Sequence, residues 1–113
     1  MATTEINNSF TNIKFNYDLN ELYQHIHVGK ENAIPVSQLS AKIGYNDRIV
    51  HEIIFQARLE GQHICSNNKG YFYPANDQEL IEFVNGTTKR AKHLFMSVKK
   101  MRETVKAIQD KEN

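Results

Sequence analysis

His25, His27, His51, His63 and His93, with the single thiol of Cys65, are the side chains of this 113-residue chain best suited to holding a metal or moving a proton. Their spacing argues against both uses. His25 and His27 stand two apart, which on a helix points them to different sides, and no Cys/His pair has the separation of a zinc site. There is no glycine-rich phosphate loop, no strained nucleophile turn and no clustered pair of carboxylates. An enzyme is not expected, and neither a metal nor another cofactor. Cys65 has no partner for an internal disulfide and stands in a strand-like stretch, where a small apolar filler is the default use. A second kind of chemistry is recognition by hydrogen bonding. Asn46, Arg48, His51 and Glu52 carry donors and acceptors within two helical turns, beside Phe55, and Asn67, Asn68 and Lys69 form a second polar group further on.

The elements that must position these groups can be read from periodicity. Leu19, Leu22, Tyr23 and Ile26 follow the stripe of a helix beginning near Asp18, with Gly29 as its stop. Ile34 beside Pro35 predicts at most a brief edge strand. Ser37 is the expected cap of a two-turn helix through Leu39 and Ile43 that ends at Gly44. Asn46 then caps a longer helix with Ile49, Val50, Ile53, Ile54 and Ala57 inward, ending at Gly61. Two helices separated only by "GYN" fit a helix-turn-helix. Beyond Gly61, "QHICS", "NNKG" and "YFYP" read as a hairpin with a four-residue loop, closed by Pro74. Tyr71, Phe72 and Tyr73 are expected to pack, and Arg58 to hydrogen-bond beneath the hairpin.

Asn76 or Asp77 caps a further helix that Gly86 is expected to break or bend. In the last segment Ala91, Leu94, Val98, Met101, Val105 and Ile108 are spaced three and four apart in alternation, a heptad seam that continues backwards through Thr87, Val84 and Leu80. Such a seam needs a cover, either the chain's own first helix or a second chain; its regularity favours a homodimer. Charge is uneven: residues 87–108 carry seven basic residues against Glu103, whereas residues 76–86 carry only Asp77, Glu79 and Glu82. The basic residues avoid the seam. Residues 1–15, rich in Asn, Thr and Ser, read as a flexible arm. No signal peptide or membrane span is expected, which makes the cytoplasm the expected location.

The order helix, short strand, helix, turn, helix, hairpin is that of a winged helix. Ile34 to Phe83 resembles the winged helix-turn-helix proteins of phages and prophages of low-GC Gram-positive bacteria, through Leu39, Gly44, Arg48, Ile53, "ARLEG" at 57–61, "ICS" at 64–66 and "GYFYPAND" at 70–77. The fold the resemblance implies is α+β, mainly α: a winged helix-turn-helix at 16–76, a C-terminal helical region with possible dimerisation at 77–110, and a tail at 111–113. It further implies sequence-specific binding of double-stranded DNA, with the third helix in the major groove and the wing along the adjacent backbone or minor groove. The protein would serve as a transcriptional regulator or an organiser of replication. Carried over by position, Asn46, Arg48, His51, Glu52 and Phe55 lie where bases are read. Asn67, Asn68 and Lys69 lie where a wing touches phosphate, and Lys89, Arg90 and Lys92 are further phosphate contacts. Asp47, Glu52 and Glu60 depart from the pattern by nearly cancelling the basic charge of this stretch. That departure keeps a rival open, a winged helix that binds a phage or host protein instead of DNA.

Overall fold

The computed structural model describes residues 19–112, so the expected N-terminal arm lies outside the described residues. The chain divides into two compact units, one ending at Leu80 and the other running from Ile81 to Asn113. Among the described residues it is mainly helical with one small two-stranded antiparallel sheet.

In the first unit, α1 (Leu19–Gln24) buries Leu22 and is followed by a 3-10 turn (Lys30–Asn32). This helix is shorter than the apolar stripe predicts. Ile26 is buried as expected, but the chain past Gln24 leaves the helix to pair with a distant strand. The Tyr73 N–H donates to the His27 carbonyl at 2.8 Å, and the Gly29 N–H to the Tyr73 carbonyl at 2.8 Å. Gly29 therefore starts the 3-10 turn and is not a helix stop.

The next helix, α2 (Val36–Ile43), begins one residue earlier than a Ser37 cap would place it. Pro35 is the N-cap and makes no side-chain cap bond; its carbonyl accepts from the N–H groups of Gln38 and Leu39. Ser37 falls inside the first turn, where its N–H needs no cap of its own making. Gly44 closes the helix at φ 80°, its N–H on the Ser40 carbonyl, and the Ser40 hydroxyl donates to the Tyr45 carbonyl, which fixes the short turn that follows.

Asn46 then caps α3 (Asp47–Leu59), its side-chain oxygen accepting the Ile49 N–H at 2.9 Å as the sequence predicts. The helix closes with Gln62 N–H on the Ala57 carbonyl and Gly61 N–H on that of Arg58, the paired bonds of a Schellman motif. Val50, Ile53, Ile54 and Ala57 are all at most 1% exposed and meet Leu22, Ile26, Ile34, Leu39, Ile64 and Tyr71 in one core. Each large aliphatic side chain buried there contributes about 1.5–3 kcal/mol, so an acid at Ile53 would remove that gain and strand a charge.

Strands β1 (Cys65–Asn67) and β2 (Gly70–Phe72) pair antiparallel, with Asn67 opposite Gly70 as the last rung. Only Asn68 and Lys69 connect them, a tighter turn than the four residues expected. The Asn67 side-chain oxygen accepts from both Lys69 N–H (2.8 Å) and Gly70 N–H (3.1 Å), replacing the missing loop bonds. On its other side β2 meets Ile34, which exchanges two 2.9 Å bonds with Tyr71. The brief edge strand predicted at Ile34 is thus a single antiparallel bridge. Gly70 sits at φ 145°, and a Cβ there would stand 1.9 Å from the Ile34 carbonyl oxygen, so only glycine lets the two backbones approach this closely. Cys65 is fully buried, as a filler should be, and burial pushes its thiol pKa up.

Asn76 accepts the Glu79 N–H at 2.9 Å at the start of α4 (Asp77–Ser97). Glu79, the buried charged residue among the described ones, reaches back with one carboxylate oxygen to two backbone N–H groups, Ala75 at 3.0 Å and Lys30 at 3.1 Å. That oxygen ties the 3-10 turn to the chain leaving the hairpin. Gly86 neither breaks nor bends α4 into two elements: the helix runs through it, because one glycine costs only about 1 kcal/mol and a helix this long absorbs it. The interruption comes at Val98, before α5 (Lys99–Glu112). There the Ser97 hydroxyl donates to the Leu94 carbonyl at 2.6 Å and Val98 N–H bonds three residues back.

Candidate nucleic-acid interface

The polar residues singled out at the start of α3 share its exposed side. Asn46 ends the turn with its side-chain oxygen committed to the cap, and the residue is exposed. Arg48 has a side chain 85% exposed and stands 3.6 Å from Glu52, one turn on, an arrangement worth only about 0.3–0.5 kcal/mol in such solvent. Its guanidinium can leave that pairing for a planar acceptor edge at little cost. His51 is exposed yet anchored. Its Nδ1 lies 2.7 Å from the Tyr71 hydroxyl, and the two rings meet edge to face with centroids 6.1 Å apart. The outer helix and the hairpin are therefore joined through one side-chain pair.

Beneath that pair lies Arg58, as the sequence leads one to expect. Its Nε donates to the Ile64 carbonyl at 2.7 Å, a second guanidinium nitrogen is 3.4 Å from the Ser66 hydroxyl, and the group sits 5.8 Å from the Tyr71 ring centroid. Burial lowers the Arg58 pKa and raises that of Tyr71, while their mutual attraction opposes both shifts. The phenol stays neutral and available to donate to His51.

The two halves of the predicted site differ in how free they are. Asn68 and Lys69 are exposed at the hairpin tip. Asn67 is not available in the same way: its oxygen builds the turn, and its nitrogen donates to the Lys30 carbonyl at 3.0 Å. Lys89, Arg90 and Lys92 are exposed on α4 in the second unit, with Arg90 donating to the Thr87 hydroxyl at 3.1 Å.

Sequence reasoning overlooked two members of this surface. Tyr71 was expected only to pack, and its hydroxyl bond to His51 spans twenty residues of chain. Leu59, one turn beyond Phe55, was given no role, yet the two are 46% and 52% exposed and form an apolar step beside the polar residues. Their four-residue spacing is the one signal that marks it in advance.

Among the described residues no three His, Cys, Asp or Glu side chains come together as a metal site, and no helix is long and apolar enough to cross a membrane. No family model, no curated protein and no solved structure matches this chain.

Proposed function

We propose that the first unit is a winged helix-turn-helix that binds double-stranded DNA sequence-specifically, with α3 in the major groove and the β1–β2 turn as the wing on adjacent phosphates. The observation that carries this reading is the split character of α3. One face is sealed into the core, the other presents Asn46, Arg48 and His51, and His51 is held against the hairpin by Tyr71. A reading helix needs a fixed angle to its wing, and that bond supplies one. Arg48 suits the paired acceptors of guanine, Asn46 the adenine edge or a phosphate, and Lys69 a phosphate at the wing tip. Lys89, Arg90 and Lys92 add phosphate contacts that the near-neutral stretch 34–75 lacks. The protein acts without chemistry, in the cytoplasm of a bacterial host, as a phage-type transcriptional regulator or replication organiser.

The test is mobility shift of fragments from the source genome at two salt concentrations, with the full chain and with the double variant Arg48→Ala, Lys69→Ala. Fragment-selective binding that weakens with salt, and that the variant weakens with loss of selectivity and a salt slope lower by about one, supports the reading. Absence of any shift at micromolar protein in low salt sinks it. A second reading draws on Phe55 and Leu59: exposed side by side on α3, they suit a protein partner better than a base edge. Binding that ignores salt and is lost in Phe55→Ser would favour that reading.

A further inference from the structure

Tyr71 is buried, and its hydroxyl carries a proton that needs an acceptor. The hydroxyl lies 2.7 Å from Nδ1 of His51, and among the described residues that nitrogen is its hydrogen-bond partner. Arg58, whose guanidinium lies 5.8 Å from the Tyr71 ring centroid, is donor-only and cannot take the proton. A neutral imidazole has one N–H and one bare nitrogen, and which is which is set by the hydrogen bond that one of them makes. Only one of the two forms fits here. With Nδ1 bare, the Tyr71 hydroxyl donates to it and both groups are satisfied. With the proton on Nδ1, the ring would donate to the Tyr71 oxygen, and the phenolic proton would be left beside a cation with no acceptor, an arrangement that buried groups avoid.

We infer that Tyr71 fixes His51 as a hydrogen-bond donor through Nε2–H, and that on duplex DNA this donor meets the N7 acceptor of a purine. The second half rests on the DNA binding proposed above; the first does not. His51 is exposed, and its Nε2 has no hydrogen-bond partner among the described residues. The ring is held at 65° to that of Tyr71, with centroids 6.1 Å apart, so the donor has one direction. A base edge needs such a fixed donor, whereas a phosphate is reached by loose side chains from many angles. Arg48 stands three residues earlier on the same face of α3 and is donor-only as well. Donors at both positions suit the acceptors that purines offer in the major groove, N7 and O6 of guanine or N7 of adenine, and are turned away by the N4 amine of cytosine. Tyr71, at 8% exposure, touches no base; it is a positioning residue that acts through His51.

The free protein tests the first half. In the full chain labelled with nitrogen-15 histidine, at a pH where the ring is neutral, long-range proton–nitrogen spectra should show His51 with Nδ1 bare and Nε2 protonated. His51→Ala assigns the signal by removing one of the five histidines. Tyr71→Phe keeps the buried ring and loses the hydroxyl, and should move both nitrogens towards the averaged positions of a ring that exchanges its two forms. A protonated Nδ1 in the native chain, or unchanged nitrogens in Tyr71→Phe, overturns the inference. The second half is read on a duplex selected by the full chain from random sequences. Replacing each purine in turn by its 7-deaza analogue, which carries C–H where N7 was, should weaken binding about twofold to tenfold at the purine that His51 meets, the value of one hydrogen bond. That penalty should vanish in His51→Ala and shrink in Tyr71→Phe. A set of penalties that His51→Ala leaves unchanged overturns the purine contact while DNA binding stands. If the native chain selects no duplex, DNA binding and the contact fall together, and the fixing of His51 by Tyr71 is decided by the spectra alone.

Discussion

Replacing Gly70 with alanine tests how closely the hairpin is held to the rest of the first unit. The added methyl would meet the Ile34 carbonyl oxygen at 1.9 Å, far inside contact distance, and both sides of the clash are backbone. Something must shift by about an ångström or more, given a normal contact of about 3.5 Å. What sits at that point is the pair of 2.9 Å bonds between Ile34 and Tyr71. Losing both costs about 1–3 kcal/mol, and holding alanine at φ 145° costs about 1–3 kcal/mol more. The sum, about 2–6 kcal/mol, is a large part of the 5–15 kcal/mol on which a small domain stands. Gly44→Ala is the matched control. Its φ of 80° is also left-handed, but a Cβ there meets nothing within 4 Å, so only the conformational cost of about 1–2 kcal/mol applies. All five tyrosines precede Pro74, so near-ultraviolet circular dichroism at the tyrosine band follows the first unit alone. Thermal melting should place Gly70→Ala about 10 °C or more below Gly44→Ala, at about 4–8 °C per kcal/mol for a domain of this size. Equal melting points for the two variants would refute the close approach.

Three further outcomes follow from the same contacts. Gly86→Ala should raise stability of the α4 helix by about 1 kcal/mol, seen as more far-ultraviolet helical signal on heating, because Gly86 is helical and an added Cβ meets only the mobile end of Arg90 at 3.5 Å; a loss of helix would mean that the chain does bend there. Glu79→Ala should lower urea stability by about 1–3 kcal/mol by stranding the N–H groups of Lys30 and Ala75, while Glu79→Gln, which keeps a carbonyl acceptor, should lose less. Burial holds the pKa of Tyr71 above its ordinary 10.0, with Arg58 opposing, so the folded state keeps this proton more tightly than the unfolded one. Stability from that group is complete below pH 10 and declines as pH rises beyond it; Tyr71→Phe should flatten the decline, and an unchanged alkaline slope would assign it elsewhere.

Local chemistry was legible in the sequence wherever the determining residues are neighbours. The Asn46 cap, the inward face of α3 and the stops at Gly44 and Gly61 each depend on side chains within a turn of one another. Misreadings arose where a distant partner decides. Ile26 belongs to the apolar stripe of α1, but the strand at Tyr73 claims the backbone that follows it. Ser37 resembles a cap, and Pro35 had already begun the helix. The "NNKG" loop tightened because the Asn67 side chain takes over its hydrogen bonds, a choice that Asn68 could have made equally well on type alone. The Tyr71–His51 bond and the reach of Glu79 to Lys30 left no periodic trace at all, being contacts across twenty and forty-nine residues.

The placement of β2 has a bearing on how the protein behaves when crowded. It lies between β1 on one side and the Ile34 bridge on the other, so its own hydrogen-bonding groups are engaged on both edges. Growth of the sheet by a strand from another molecule is left to β1, three residues long and bounded by the Asn67 turn. So short an edge offers an incoming chain only a couple of backbone bonds, too few to offset the entropy of aligning it. The hairpin is by this arrangement poorly suited to seed intermolecular β-aggregation.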